Sequence, residues 1–312
     1  PGSVLDVTTL RSLTQTELAS VLPSIRVISR VTPSDKQMLV KAFQEAGEVV
    51  AMTGDGINDA PSIKAADVGI AMGSGTEVSR SVADVVLLDD NFETIVAAVE
   101  EGRQIMKNIR KALVYLLSNV ADGIILIGGA VLIGVPLPIN ALQMLWVNFF
   151  SDSFPALAFA FEKEKNVFLE GSVDRSKGLF TPIMKFLVGV IGLITSLFLF
   201  IVYMVLIRFG FDMQIVQTFI FAAFGTYTLF VALSVRSLEQ SIFKYSFISN
   251  PQMLYGVGIG FILMIIAVYH PVLQSILGTV SLPPVWLGGV LLVGITNILL
   301  VETSKWLYRK WR

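Results

Sequence analysis

The chain has 312 residues, 54% of them hydrophobic and 15% charged, and its mean hydropathy is +0.72; this leaves room for about two domains and sets it apart from ordinary soluble and from disordered chains. Lys+Arg number 23 against 24 Asp+Glu, a net charge of -1, so nothing points to nucleic acid or an acidic polymer as partner. Cysteine is absent, which removes disulfides, thiolate catalysis and cysteine-ligated metals. Residues Pro1 to Arg30 lack the basic start and apolar core of a secretory signal, so membrane insertion is expected to use internal segments.

Composition changes near Arg103. Before it, charged and apolar residues alternate in short blocks. After it, charge thins and apolar runs of about 20 residues recur, the length that crosses a bilayer. We therefore place a soluble domain at 1–103 and a transmembrane domain at 104–312. In the first, the apolar run Glu48 to Thr53 ends at Gly54 and reads as a strand, followed by a helix from Asn58 to Ala66 that opens on Asn-Asp-Ala-Pro. Val68 to Met72 is a second strand, Thr76 to Val82 a second helix and Val85 to Leu88 a third strand, before a helix beginning at Phe92. Strands alternating with helices predict a parallel α/β sheet, whose ligands bind at the carboxyl ends of the strands. Thr53-Gly54-Asp55-Gly56 stands at such an end.

Six spans are expected beyond it: Ile109 to Ile133, Ala141 to Phe161, Ile183 to Ile207, Ile215 to Val235, Leu254 to Tyr269, the weakest, and Val285 to Leu307. Arg103, Lys107, Arg110 and Lys111 precede the first. Lys163, Lys165, Arg175, Lys177 and Lys185 lie between the second and third, Arg236 and Lys244 between the fourth and fifth, and Lys305, Arg309, Lys310 and Arg312 end the chain. The loops Gly134 to Asn140 and His270 to Pro284 carry no Lys or Arg. The positive-inside rule then puts the soluble domain and both termini in the cytoplasm.

Two constellations carry chemistry. Thr53-Gly54-Asp55-Gly56-Ile57-Asn58-Asp59-Ala60-Pro61 packs two carboxylates and an amide into five positions at a strand end. Such hard oxygens at a Gly-rich turn suit Mg²⁺, which is held by one or two carboxylates plus substrate phosphate oxygens. Lys36 can supply a compact positive charge to a phosphoryl group; on spacing alone the favoured reading is an ordinary helix-surface lysine. In the membrane part, Asn119 and Asp122 share a face at i, i+3, and Asn148, Ser151 and Asp152 cluster in the same way on the next span. Intramembrane carboxylates are costly and mark function. Their oxygens would accept Ca²⁺ and, less tightly, Na⁺ or K⁺; the plain alternative is helix-packing polar contacts. His270 reads as a solvated turn residue, and Gly256 and Gly260 as a small-xxx-small packing pattern.

The nine-residue string, with Gly69-Ile70-Ala71-Met72-Gly73 and Asp89-Asp90-Asn91-Phe92, resembles the hinge end of the phosphorylation domain of P-type ATPases. Leu145-Trp146-Val147-Asn148, followed by Asp152 and Pro155, resembles the sixth membrane helix of their type II branch, the calcium and sodium/potassium pumps. The resemblance implies a HAD-like, Rossmann-type partial phosphorylation domain followed by an all-α bundle of six transmembrane helices, the family's fifth to tenth, with the helix from Phe92 as the stalk. It implies Asp55 as the Mg²⁺ ligand, Asp59 as the group ordering the metal site, and Asn58, Thr53, Gly54 and Gly56 around the phosphate, whose charge Lys36 neutralises. It makes Asn119, Asp122, Asn148, Ser151 and Asp152 ligands of the transported cation, expected to be Ca²⁺. The implied reaction is phosphoryl transfer from ATP to an aspartate, then hydrolysis, coupled to ion export.

Departures are as informative. The string Asp-Lys-Thr-Gly-Thr, which holds the nucleophilic aspartate, is absent. So are counterparts of the nucleotide-binding and actuator domains and of the first four membrane helices. The chain alone is expected to be inactive and to form the C-terminal part of a pump, and its start at Pro rather than Met agrees. Asp122 stands where two-site calcium pumps have Glu, and Thr228 where they have an acidic ligand. This implies one ion site, as in the Golgi and plasma-membrane calcium pumps. The alternatives are a pump for Na⁺, K⁺ or H⁺, a membrane-anchored HAD phosphatase, or a non-catalytic membrane protein that associates with a pump.

Overall fold

The computed structural model describes residues 4–13, 17, 20–163 and 179–311; Lys165, Arg175, Lys177 and Arg312, counted above for topology, lie outside them. One unit reaches to Arg103, and a second begins at Gln104 and takes in the chain from Leu179 onward.

In the first unit β1 (Val4–Asp6) pairs in parallel with β2 (Val27–Ser29), and β3 (Ala51–Gly54), β4 (Val68–Met72) and β5 (Val85–Leu87) form a parallel sheet in that order. Helices α1 (Val7–Arg11), α2 (Pro33–Glu45), α3 (Ala60–Ala65) and α4 (Glu77–Val82) alternate with the strands, the parallel α/β arrangement that the residue pattern predicts. β3 starts later than predicted because the chain before it is tied elsewhere: Val50 N–H donates to Asp67 Oδ2 at 2.9 Å. Ile63, Ile70, Ala71 and Leu87 are buried around the sheet.

The start of α2 is fixed by a reciprocal cap. Thr32 accepts from the backbone of Asp35, and Asp35 Oδ2 accepts Thr32 N–H at 2.8 Å. Arg11 closes on the same carboxylate with contacts of 2.9 and 2.6 Å. The guanidinium first, then Thr32, holds the Asp35 carboxyl well below the usual carboxylate range. A depressed native pKa stabilises the cap above the unfolded value of about 3.9 and loses that contribution as pH falls. Amides at the start of α2 are therefore expected to lose hydrogen-exchange protection between about pH 4 and pH 2, after correction for intrinsic rates. Asp35→Asn should flatten that dependence; an unchanged profile would remove the carboxylate from the account.

Helix α5 (Phe92–Ile133) is followed by α6 (Ala141–Trp146), a π-helical turn (Val147–Asp152) and α7 (Ser153–Ala158). Then come α8 (Pro182–Arg208), α9 (Met213–Val235), α10 (Pro251–Tyr269), α11 (Pro271–Leu277) and α12 (Pro284–Trp311). Six stretches among the described residues are long and apolar enough to cross a membrane: α5, Ala141–Phe161, α8, α9, α10 and α12. Asn140, Thr181, Asp212 and Asn250 cap the starts of α6, α8, α9 and α10 through their side chains. Helix α11 was not expected; it lies in the loop between the last two spans, where Leu277 O accepts from Asn140 Nδ2 at 2.8 Å.

Helix α9 is buried along nearly its whole length and packs against α8, α10 and α12. Gly260 meets Leu229 of α9, and Gly256 meets the backbone of Phe154 and Pro155, so this glycine pair serves packing inside the bundle. Where α9 ends, Arg236 is 1% exposed. Its guanidinium forks onto Glu162 with two contacts of 2.9 Å and donates to Ser246 O, Phe247 O and Ser249 Oγ. Glu162 also accepts from Asn250 Nδ2 at 2.8 Å, and its carbonyl accepts from Gln104 and Asn108, each at 2.9 Å.

Candidate functional site

The first unit carries the glycine-rich turn. β3 ends at Gly54, and Asp55 follows at the carboxyl end of the sheet with an exposed side chain. The turn uses the backbone of Asp55, whose carbonyl accepts Thr76 N–H at 2.9 Å, and Gly56 O accepts Ser79 Oγ at 2.7 Å. A 3₁₀ turn, Ile57–Asp59, then leads into α3 with Pro61 in its first turn. Asp59 is buried at 8% exposure, and Lys36 Nζ reaches its Oδ1 at 2.5 Å. Gly54 is required here: a Cβ would stand 2.5 Å from Asp59 Cβ.

The structure thus brings Lys36, Gly54 and Asp59 together. Asp55, Gly56 and exposed Asn58 stand on the same turn. Thr53 lies one residue back, its Oγ1 3.7 Å from Met72 Sδ. The two other stretches behind the resemblance brace the sheet at its amino and carboxyl ends in turn. Gly69 N–H donates to Asp84 Oδ2 at 2.8 Å, and Ser74 N–H donates to both oxygens of Asp90 at 3.2 Å. Ser74 lowers the pKa of Asp90, and Thr94 that of Asp89.

The second unit carries a buried polar cluster. On α5, Asn119 is 6% and Asp122 0% exposed; in the π-helical turn, Ser151 is 0% and Asp152 4% exposed. Tyr115 OH donates to Asp152 Oδ1 at 3.1 Å, and Asn119 and Thr228 adjoin the same carboxylate. Asp122 Oδ1 accepts from Thr195 Oγ1 at 3.1 Å and from Ser196 Oγ, and Tyr227 adjoins it. Although Tyr227 adjoins Asp122 and Asn119 adjoins Asp152, Asp122 Oδ2, Ser151 Oγ, Asn119 Nδ2 and Tyr227 OH make no hydrogen bond of normal geometry among the described residues. Unpaired buried polar atoms cost about 1–3 kcal/mol each, so the three oxygens among them, in one place, point to a ligand rather than to packing, whereas the Asn119 nitrogen is a donor.

Asn148 does not join them: its side chain is exposed. The i, i+3 and i, i+4 spacing that predicts a shared face assumes α-helical turns, and the π-helical turn is wider. Pro155 is its local cause, since it has no N–H for Ser151 O, which instead faces Tyr115 OH at 3.4 Å. Tyr115, Thr195, Ser196 and Tyr227 were not singled out from sequence. Two adjacent hydroxyls in the otherwise apolar α8 were the available signal, because a buried carboxylate needs donors. Among the described residues no three His, Asp or Glu side chains converge, so a cation here would draw on neutral oxygens as well.

Residues 136–307 match the family described as cation transporting ATPase, C-terminus, and residues 12–67 match haloacid dehalogenase-like hydrolase. The calcium-transporting ATPase of Bacillus subtilis is 38% identical over 292 residues, 91% of this chain and 32% of that protein. Calcium-transporting ATPase 1 of Yarrowia lipolytica is 34% identical over 98% of this chain and 33% of that protein. The human calcium-transporting ATPase type 2C member 1 is 36% identical over 85% of this chain and 29% of its own length. The chain spans about a third of the length of these relatives.

Proposed function

This chain belongs to the family of cation-transporting ATPases, and from that premise we propose that it is the C-terminal part of a P-type pump that exports Ca²⁺ from the cytoplasm. The observation that carries this reading is the pair of buried carboxylates, Asp122 and Asp152, on two different membrane helices, with Asp122 Oδ2 and Ser151 Oγ unpaired among the described residues. Ca²⁺ takes six to eight oxygen ligands, and carboxylate, hydroxyl and amide oxygens are what this cluster offers. Asn148, which the family pattern also implied, is left out of this ligand set because its side chain is exposed while the others are buried. Thr228, buried beside Asp152, brings a hydroxyl where a second acidic ligand would be needed, which supports one ion per cycle.

In the first unit the donor set suits Mg²⁺: an exposed carboxylate at a strand end, open to a hard cation whose remaining ligands are phosphate oxygens and water. Asp55 would hold it, and bound Mg²⁺ would neutralise phosphoryl charge. Asp59, buried and paired with Lys36, holds that lysine at the edge of the turn, with a positive charge for the phosphoryl group. Backbone at Thr53, Gly54 and Gly56, with the Asn58 amide, would line the phosphate. ATP, the nucleotide-binding and actuator domains and the first four membrane helices would be supplied by the rest of the pump. Lys and Arg at the ends of the spans support cytoplasmic termini.

The test is Asp152→Asn in the full-length protein. It removes one charge and no volume, so half-saturating Ca²⁺ for phosphorylation by ATP is expected to rise more than about tenfold, the factor worth 1.4 kcal/mol. An unchanged Ca²⁺ dependence would take Asp152 out of the site.

A further inference from the structure

We propose that Thr195 and Ser196 on α8 are positioning residues of the cation site: they hold one oxygen of Asp122 so that the other faces the cation. This rests on the reading of Asp122 and Asp152 as cation ligands and adds a third helix to that site.

The two carboxylate oxygens of Asp122 have opposite surroundings. Oδ1 accepts from Thr195 Oγ1 at 3.1 Å and from Ser196 Oγ; Oδ2 makes no hydrogen bond of normal geometry among the described residues, with Tyr227 adjoining the carboxylate. Thr195 and Ser196 are 1% and 0% exposed, so water does not compete for their hydroxyls; each shares its one proton between Asp122 Oδ1 and the carbonyl one turn back, Ile191 O at 2.7 Å and Gly192 O. Consecutive side chains on an α-helix point about 100° apart, and two of them reach one oxygen only where the helix runs close to it. Gly192, one turn earlier, provides that closeness: a Cβ there would stand 2.9 Å from Ala121 Cβ and 3.4 Å from Ser118 O, both on α5. Gly192, Thr195 and Ser196 therefore form a notch in α8 that seats α5 at the height of Asp122. With a cation bound and Asp122 ionised, the hydroxyls would face a charged acceptor, which makes such hydrogen bonds stronger than those between neutral groups.

Pinning Oδ1 does two things. It removes the rotation about the carboxyl bond that a free aspartate would have to give up on binding, which is how preorganisation raises affinity. It also leaves Asp122 a one-oxygen ligand, because a bidentate grip would need the oxygen that the hydroxyls occupy.

The experiment uses the full-length protein in membranes and reads phosphoenzyme formed from ATP across a Ca²⁺ titration. Thr195→Val with Ser196→Ala keeps nearly all the volume and removes both donors; half-saturating Ca²⁺ should rise about tenfold while the maximal level falls by less than about half. Thr195→Ser removes a methyl group and keeps the hydroxyl, and should stay close to the parent. A packing role gives the reverse order, a shift with Thr195→Ser and none with the double variant, and overturns the proposal. If the double variant does not accumulate, Ser196→Ala alone carries the test with the same expected direction. Asp152→Asn in the same assay separates the two levels. If it shifts the titration and the hydroxyl variants do not, the positioning role fails and the ion site stands. If it shifts nothing, the ion site fails, and the positioning role with it.

Discussion

Asp55→Asn in the full-length protein is expected to abolish the hydroxylamine-sensitive phosphoenzyme formed from ATP and Mg²⁺. The position makes this a clean test, because the side chain is exposed and the turn is held by backbone: the Asp55 carbonyl bonded to Thr76 and the Gly56 carbonyl bonded to Ser79. An isosteric amide on such a surface changes stability by no more than about 0.5 kcal/mol. Loss of phosphorylation in a protein with an unaltered melting profile therefore reports chemistry. An amide keeps an oxygen but loses the charge, and hard divalent cations are held by carboxylates; a drop of at least about a hundredfold is expected, the scale of a lost electrostatic contact at a reacting centre. Phosphoenzyme at the parent level in ordinary Mg²⁺ would end the assignment of Asp55 as the metal ligand.

The second large effect is structural. Arg236→Met should destabilise the membrane unit by about 3–5 kcal/mol, the cost of leaving one member of a buried ion pair alone. Glu162 would keep its charge with, among the described residues, Asn250 facing its carboxylate, and the carbonyls of Ser246 and Phe247 would lose their donor. Replacing Glu162 by Met as well removes the orphaned charge, so the double variant should melt above the Arg236→Met single variant in detergent. A double variant that loses the sum of the two single effects would show that the pair is not coupled.

Much of this architecture is legible in the residues. β4 falls on Val68–Met72 as read, because a short apolar run between turn residues admits few alternatives, and the membrane helices follow from runs too long and too apolar for anything else. Asp122 and Asp152 stand out for the same reason, as carboxylates where carboxylates are expensive. What periodicity could not give is what depends on a neighbour. Thr195 and Ser196 gain meaning only once α8 lies against α5, and Arg236 looks like a topology-setting charge until Glu162 is found beneath it. The surface position of Asn148 follows from one wide turn, for which Pro155 is the single local sign.

That turn has a consequence for motion. A stretch with one residue too many is slack in the helix, and slack can be handed along the axis by exchanging one set of backbone hydrogen bonds for the next, with both ends of the helix staying wound. Each such handover turns the residues it passes by about 100°, one residue's share of an α-helical rotation. Ser151 and Asp152 sit within the slack itself. A handover there would turn both side chains relative to Asp122 by a local twist of the turn, with no need to slide or tilt the helix.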